Sequence, residues 1–138
     1  EFTGRTIEGD AIITRFPTKN HQQECLESIV LELIEAKIPL EKITLLSPKK
    51  FENTYAVDSS FICHQLEAGL SFHTIHSFKG LENSVVVIFD LDEISSELSQ
   101  RLLYVGISRA KQRLFLILRD VLHSPYQQLI AENHLKLK

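Results

Sequence analysis

V-V-V-I-F, at Val85–Phe89, is a continuous apolar run made mostly of β-branched residues. Such a run, with no polar residues in alternation, predicts a strand that is covered on both faces. Strands of this type occur in parallel sheets that carry helices on either side. The run therefore predicts an α/β fold built around a parallel sheet.

Further strands and helices alternate on both sides of this run. Additional strands are predicted at Ala11–Ile13, Lys42–Leu46, Leu70–Ile75 and Arg113–Leu118. Between the first two, apolar residues recur at helical spacing and predict an amphipathic helix of about 15 residues. We expect Asn20 and Gln23 to form a capping box at its start, and Pro39 to end it. Strand, helix and strand in this order form a βαβ unit, which builds parallel sheets.

Two other helices are predicted from turn signals. Ser47-Pro48 is typical of a helix start, with Ser as the cap and Pro at the first position. Part of Phe51–Leu66 is expected to be helical and to end near Gly69. Ser124-Pro125 predicts a final helix over about 124–134.

The composition is that of one globular domain. The chain has 138 residues, of which 43% are hydrophobic and 24% charged, and its net charge is −3. We expect a single domain over residues 1–138, with a core over about 9–118. The acidic balance gives no global attraction to a polyanion, so a nucleic-acid contact must be local or shared with another domain. Cys25 and Cys63 are too few for a disulfide scaffold. We therefore expect a buried Cys25 thiol and a protein of the reducing cytoplasm, with no membrane association.

Polar and charged residues crowd the ends of the predicted strands, where open α/β sheets place their ligands. One such segment is T-I-H-S-F-K-G-L-E at Thr74–Glu82, a strand that runs into a turn. Thr74 and His76 can donate hydrogen bonds to phosphate or sugar oxygens. Gly80 permits a tight turn or a close backbone approach to a ligand, and opposite charges flank it. Taken alone, a Lys-Gly turn is more often only a turn.

A second charged segment is L-L-Y-V-G-I-S-R-A-K at Leu102–Lys111. It is predicted to lie on a helix that Ser95 or Ser96 caps and whose inward stripe is Leu98, Leu102 and Val105. Arg109 is permanently charged and forks toward phosphate oxygens, so it can stabilise the charge that spreads during phosphoryl transfer. The alternative is a surface helix with solvated Arg and Lys. Gly106 costs the helix about 1 kcal/mol relative to Ala, which a close backbone approach to a ligand cleft would explain.

Together the two segments resemble the fifth and sixth motifs of superfamily 1 helicases of the UvrD/Rep type. Thr74–Glu82 matches every fixed position of T-x-H-x-x-K-G-L-E, and Tyr104–Ala110 matches Y-V-G-x-T/S-R-A. The resemblance extends roughly from Gly9 to Leu118. It implies a RecA-like parallel sheet with helices on both faces, the P-loop NTPase type of second motor domain without the P-loop itself. In this family, ATP with Mg²⁺ binds between two motor domains.

The resemblance also implies a role for each matched residue. Arg109 would be the catalytic residue, an arginine finger on the nucleotide. Glu82 would contact the nucleotide near its sugar, while Lys79 and Gly80 would line the nucleotide side of the cleft. Thr74 and His76 would lie along the path of single-stranded DNA.

Two further groups of charged residues follow predicted strands. In the family that the chain resembles, an Arg near the end of the second strand commonly contacts phosphate. This chain has Lys49 and Lys50 at that place. Either a phosphate contact or an ordinary basic loop is consistent with the sequence. Asp90, Asp92 and Glu93 carry metal-binding oxygens, but such residues more often mark a strand that ends in solvent. No metal site is predicted.

The chain lacks parts that a complete motor needs. It contains no G-x-x-x-x-G-K-[ST] loop, no acidic partner motif for magnesium, and no room for the large inserted subdomain of some helicases. The first hypothesis is therefore the C-terminal motor domain of an ATP-dependent DNA helicase or translocase, inactive as an isolated chain. Its partners would be an N-terminal motor domain of the same polypeptide and single-stranded DNA. The alternative is a non-catalytic nucleotide-sensing or protein-interaction module with a helicase-like fold.

Overall fold

A five-stranded sheet forms the centre of the computed structural model, which describes residues 12–74, 76–78 and 80–133. The strands are β1 (Ile12–Arg15), β2 (Ile43–Ser47), β3 (Ser71–Thr74), β4 (Asn83–Leu91) and β5 (Ala110–Leu118). All neighbouring strands run parallel, in the order β1-β5-β4-β2-β3. The predicted parallel α/β fold is confirmed. Two residues of the predicted strands, Ala11 and Ile75, lie outside the described residues.

Helices cover both faces of this sheet. They are α1 (Gln22–Glu35), α2 (Ser60–Ala68), α3 (Glu97–Arg109) and α4 (His123–Asn133). The odd-numbered residues of Val85–Phe89 pack in the cluster that contains α1 and α2, and the even-numbered residues pack in the cluster that contains α3 and α4. Every residue of this run is therefore buried on one face or the other, which explains its lack of polar alternation.

The start of α1 differs from the prediction. A short 3₁₀ helix, Lys19–His21, precedes it and includes Asn20. His21 occupies the N-cap position and makes no side-chain capping hydrogen bond. The predicted capping box of Asn20 with Gln23 is therefore wrong, because the chain already turns helically before the α-helix begins.

The end of α1 is a left-handed turn. The Ile38 N–H donates to the Leu33 carbonyl at 3.1 Å, and the Lys37 N–H donates to the Ile34 carbonyl at 2.9 Å. Lys37 has a φ of 68°, so the arrangement is a Schellman motif with lysine in the position that usually holds glycine. This turn, rather than Pro39, ends the helix, which is 14 residues long.

The position at which a helix start was predicted, Ser47-Pro48, is the end of strand β2. Ser47 is the last residue of β2 and is fully buried. Two short 3₁₀ helices follow at Phe51–Asn53 and Tyr55–Asp58. The predicted helix start at Ser47-Pro48 is wrong because β2 carries its buried side chains one residue further than the sequence pattern indicated.

Helix α2 accounts for the predicted helical part of this region. Ser59 caps it, with its Oγ accepting a hydrogen bond from the Ile62 N–H at 3.1 Å. Gly69 follows its last residue with a φ of 135°, so the predicted end near Gly69 is confirmed.

Helix α3 packs on the sheet with a face that overlaps the predicted one but excludes Leu98. Ser96 caps it, as one of the two predicted candidates. Its buried residues are Ser99, Leu102, Leu103, Gly106 and Ile107. Leu102 is buried, and Val105 is partly buried and packs against the same core cluster, as predicted. Leu98 is 44% exposed, so this predicted inward residue is wrong.

Gly106 sets how closely α3 approaches the sheet. A Cβ atom at this position would overlap Ile88 Cδ1 of β4 and would lie 3.2 Å from Ile88 Cγ1. The close approach is therefore between helix and strand inside the core, and the predicted approach to a ligand cleft is wrong. Close packing of the helix backbone explains why glycine is placed in a helix at this point.

Neither cysteine among the described residues forms a disulfide. Cys25 and Cys63 are free and only partly buried, and burial raises the pKa of the Cys25 thiol. No helix among the described residues has the length and apolar character needed to span a bilayer. His134, the last residue of the predicted final helix, lies outside the described residues.

Candidate functional site

β3 ends in a polar turn at the carboxyl edge of the sheet. The Thr74 N–H donates to Ser77 Oγ at 2.9 Å, and Thr74 Oγ1 lies 3.2 Å from the same oxygen. His73 Nδ1 lies 3.4 Å from Ser77 Oγ, and the Phe78 N–H donates to the Thr74 carbonyl at 2.9 Å. The Thr74 hydroxyl is thus held within its own turn, whereas His76 is exposed. Both residues that the resemblance assigns to the DNA path lie at this turn.

A short crossover, residues 75–82, connects β3 to β4. Parallel strands usually need a dozen or more residues for such a connection. Phe78 is 1% exposed and belongs to the same core cluster as Ile88 of β4 and Leu103 of α3. The crossover therefore passes over the α3 face of the sheet and is anchored there by an aromatic ring.

Gly80 forms the second turn of the crossover. The Leu81 N–H donates to the Phe78 carbonyl at 3.0 Å, and Gly80 has a φ of 83°. Among the described residues, no heavy atom lies within 4 Å of the position that a Cβ would occupy on Gly80. Glycine is therefore required for the backbone conformation and not for space. Lys79, predicted to line the cleft beside it, lies outside the described residues.

Glu82, Arg109 and Lys111 lie at the opposite, amino edge of the sheet. Asn83 and Ala110, the first residues of β4 and β5, are paired, and Glu82 and Arg109 immediately precede them. Lys111 Nζ lies 3.8 Å from Glu82 Oε2. Arg109 ends α3 and is partly exposed, and no carboxylate of the described residues forms an ion pair with its guanidinium. One carboxylate and two cations thus share a small region of the surface.

A β-bulge shapes this edge. Asn83 pairs with Ala110 and Val85 pairs with Arg113, so two steps along β4 match three steps along β5. The extra residue falls at Lys111 or Gln112, both of which are exposed. Bulges redirect the side chains beside them and are frequent next to functional sites.

The two halves of the first motif lie at opposite edges of the sheet. Thr74 pairs with Ser47, and β2 runs beside β4 with Leu46 opposite Ile88, so Thr74 lies level with the far end of β4. The separation from Glu82 along the strands is roughly 20 Å, at about 3.3 Å for each residue. Of the described residues to which the resemblance assigns a ligand contact, Thr74 and His76 therefore lie at the carboxyl edge, whereas Glu82 and Arg109 lie at the amino edge.

Lys49 is engaged at the carboxyl edge between β2 and β4. Its Nζ lies 2.8 Å from Asp90 Oδ1 and 3.2 Å from Asp92 Oδ2. Asp90 is 7% exposed, has a φ of 62°, and accepts the Tyr55 N–H at 2.9 Å through its other oxygen. Burial acts to lower the pKa of Lys49, but the hydrogen bonds and charges of the two aspartates outweigh it and raise that pKa. Lys49 is therefore the counter-ion of a buried carboxylate, while Lys50 is exposed.

The third acidic residue of this region, Glu93, binds the serine that caps α3. Glu93 Oε2 accepts hydrogen bonds from Ser96 Oγ at 2.6 Å and Ser99 Oγ at 2.9 Å, and its Oε1 accepts the Ser96 N–H at 2.8 Å. The Ser96 hydroxyl and N–H are the main causes that lower the pKa of Glu93 from 4.5 to about 2. In the part of the chain that the structure describes, no group of three or more His, Cys, Asp or Glu residues is placed to hold a metal ion.

Three residues of these surfaces were not singled out from the sequence. His73 and Ser77 complete the turn around Thr74, and Lys111 pairs with Glu82. Ser77 occupies a variable position of the motif, although a Thr followed three residues later by Ser is a signal for a side-chain turn. Lys111 lies just beyond the second motif, and its contact depends on the pairing of β4 with β5, which a linear pattern does not contain.

Comparison with known sequences places the similarity in this same region. The sequence model of the UvrD-like helicase C-terminal domain family matches residues 70–117. The matched span begins just before β3 and ends within β5, so it contains both motif segments and the edge where Glu82 and Arg109 lie. A search of curated protein sequences finds no match.

Comparison of three-dimensional structures gives a consistent result. The chain is similar to the crystal structure of the C-terminal domain of a possible DNA helicase from Lactobacillus plantarum WCFS1, with a TM-score of 0.54 and 14% sequence identity. The similarity covers 83% of this chain and 76% of that one, and at this identity it shows the fold alone. Residues 70–117 thus match the UvrD-like helicase C-terminal domain family, within a chain whose parallel α/β fold is similar to that of a helicase C-terminal domain.

Proposed function

We propose that this chain is the C-terminal motor domain of an ATP-dependent superfamily 1 DNA helicase or translocase. It supplies an arginine finger and part of the single-stranded DNA path, and it works with an N-terminal motor domain of the same polypeptide. The match over residues 70–117 supports this proposal because it spans both motif segments.

The observation that carries the proposal is that Glu82 and Arg109 both lie at the amino edge, each next to a residue of one paired position in neighbouring strands. The two residues come from different motifs, and the pairing of Asn83 with Ala110 brings them to the same edge. A carboxylate accepts hydrogen bonds from sugar hydroxyls, and a guanidinium forks toward phosphate oxygens. A nucleoside triphosphate presents both groups, and Gly80 precedes Glu82 by two residues in the sequence.

Arg109 is suited to act on the terminal phosphate. It ends α3, where the helix dipole favours a cation, and among the described residues it has no competing carboxylate. Bound ATP with Mg²⁺ supplies the phosphoryl group that is transferred to water. Arg109 stabilises the charge that develops on that group, an effect worth about 10³ to 10⁵ in kcat for arginine fingers.

The N-terminal motor domain supplies what this chain lacks. The sequence has no phosphate-binding loop, and the Asp90–Asp92 pair already holds Lys49 rather than facing an open site. The magnesium ligands and the loop around the phosphates therefore come from the partner domain. On this basis the isolated chain does not hydrolyse ATP.

Thr74 and His76 mark the nucleic-acid side of the domain. They lie roughly 20 Å along the strands from Glu82, so a strand of DNA and a nucleotide occupy separate surfaces. The crossover joins these surfaces and shares a core cluster with α3, which carries Arg109. Movement of the cleft is thereby coupled to movement of the DNA contacts.

The test is ATP hydrolysis by the full-length protein, with and without single-stranded DNA. Arg109→Ala is expected to lower kcat about 10³-fold or more while the KM for ATP changes little. Arg109→Lys keeps the charge but loses the fork and is expected to be intermediate. Lys42→Ala is the control, since Lys42 is an exposed cation just before β2 at the same edge of the sheet.

Two outcomes contradict the proposal. If Arg109→Ala hydrolyses ATP as fast as the wild type, Arg109 is not an arginine finger. If the wild-type protein binds ATP but shows no turnover that DNA stimulates, the chain is instead a nucleotide-sensing or protein-interaction module.

A further inference from the structure

Lys111 lies beside the proposed nucleotide contacts but outside both motif patterns. Its Nζ is 3.8 Å from Glu82 Oε2, and one residue separates it from Arg109 along the chain. Both members of the ion pair are solvent-accessible, with 53% of the Lys111 side chain and 46% of the Glu82 side chain exposed. An ion pair this exposed is weak and exchanges readily, because water competes for both charges.

The backbone at Lys111 is irregular in a way that directs its side chain. The extra residue on β5 lies at Lys111 or Gln112, beside the first pair of the strands. A regular strand would continue the pairing from Ala110 without interruption. The bulge instead keeps Lys111 exposed at the edge that Glu82 and Arg109 share.

A nucleotide changes the balance of charge around Lys111. When Glu82 accepts hydrogen bonds from a sugar, its charge is shared and it holds the ammonium less firmly. The polyphosphate near Arg109 carries several negative charges, so it attracts the ammonium more strongly than one carboxylate does. Lysine is a compact charge on a flexible stem, which allows it to move from one partner to the other.

We propose that Lys111 is a second cation for the phosphates of the nucleotide, paired with Glu82 until the nucleotide engages Glu82 and then transferred to the phosphates. The proposal rests on the proposed function and adds a phosphate-binding residue to it. The competing explanation is that Lys111 only positions the Glu82 carboxylate.

The experiment compares ATP with AMP on the full-length protein. Dissociation constants for both nucleotides are measured for Lys111→Ala, Glu82→Gln and the double variant. Lys111→Ala is expected to weaken ATP binding about tenfold, the effect of losing one hydrogen bond to a charged group, and to change AMP binding less than about twofold. Glu82→Gln is expected to weaken both nucleotides, and in the double variant the two losses of ATP affinity are expected to multiply.

Controls separate this inference from the proposed function. Lys42→Ala removes one positive charge from the same edge and is expected to leave ATP affinity unchanged. Equal weakening of ATP and AMP by Lys111→Ala, or no further loss in the Glu82→Gln background, would show that Lys111 only positions Glu82. If Arg109→Ala abolishes turnover while Lys111→Ala binds ATP normally, only the inference about Lys111 fails. If Arg109→Ala is fully active, the proposed function fails, and the inference about Lys111 fails as well.

Discussion

At the scale of single residues, Glu93 shows how an exposed carboxylate can contribute to stability. Hydrogen bonds from the hydroxyl and N–H of Ser96, and from Ser99 and Ser95, favour its charged form, so its pKa falls from 4.5 to about 2. A group whose pKa is lower in the folded state than in the unfolded state stabilises the fold at high pH. This contribution is present above pH 4.5 and is lost as the pH falls from 4.5 toward 2.

Replacement of this carboxylate should therefore have an effect that depends on pH. Glu93→Gln is expected to lower the free energy of unfolding by about 1 kcal/mol at pH 7, because hydrogen bonds to a neutral amide are weaker than those to a carboxylate. The difference from the wild type should shrink at pH 3, because the carboxylate of the unfolded chain is then mostly protonated whereas that of the folded protein is still mostly charged. Urea unfolding at the two pH values measures it. The control is Glu97→Gln, because Glu97 lies in the first turn of α3 and its side chain is 90% exposed. An effect of Glu93→Gln that is independent of pH would contradict the prediction.

At the scale of elements, the contact between α3 and β4 fixes where Arg109 is presented. The absent side chain of Gly106 lets the helix approach Ile88, and Arg109 follows one turn later at the end of the same helix. The helix position and the position of its terminal cation are thus set by one contact in the core.

Gly106→Ala tests this contact. Alanine gains about 1 kcal/mol in helix propensity, but overlap with Ile88 costs about 1–3 kcal/mol, so we expect net destabilisation. Ile88→Val removes the methyl group with which the alanine would overlap. Alone, Ile88→Val is expected to lower the free energy of unfolding by about 1 kcal/mol. In the double variant it should recover part of the stability that Gly106→Ala loses. Urea unfolding of the four proteins gives the coupling energy. Strictly additive effects would show that the two residues do not compete for the same space.

The elements also show what sequence patterns can predict. The apolar run at Val85–Phe89 indicated a strand buried on both faces, because its residues alternate between two core clusters. The ends of elements were less predictable. Lys37 ends α1 in a conformation that usually belongs to glycine, and Ser47 stays in β2 because the interior extends that far. Periodicity reports which side chains are buried, whereas an end depends on backbone geometry and on neighbours distant in sequence.

At the scale of the whole molecule, the proposed contacts divide between two edges of one sheet. Thr74, His76 and Glu82 belong to one linear motif of nine residues. The crossover nevertheless separates Glu82 from Thr74 by roughly 20 Å along the strands. The sequence therefore indicated candidate residues and the two segments that contain them. It did not indicate the separation, because a motif contains no information about the direction in which the chain crosses the sheet.

This separation predicts that the two contacts can be impaired independently. In the full-length protein, the double variant Thr74→Ala and His76→Ala is expected to weaken single-stranded DNA binding several-fold while the dissociation constant for ATP in the absence of DNA stays unchanged. Arg109→Ala is expected to leave DNA affinity unchanged in the absence of nucleotide. Fluorescence anisotropy with labelled DNA and nucleotide titration measure the two affinities. Loss of ATP affinity in the Thr74/His76 variant without DNA would contradict two separate surfaces.

The strand lengths have a consequence for how the chain behaves in solution. Among the described residues, the strands at the two edges of the sheet, β1 and β3, have four residues each, whereas the interior strands β4 and β5 have nine. An edge strand presents unpaired N–H and C=O groups to which a strand of another molecule can bind, and short edges present few of them. The sheet thus confines its long, apolar strands to positions where both sides are already paired, which protects it against aggregation through its edges.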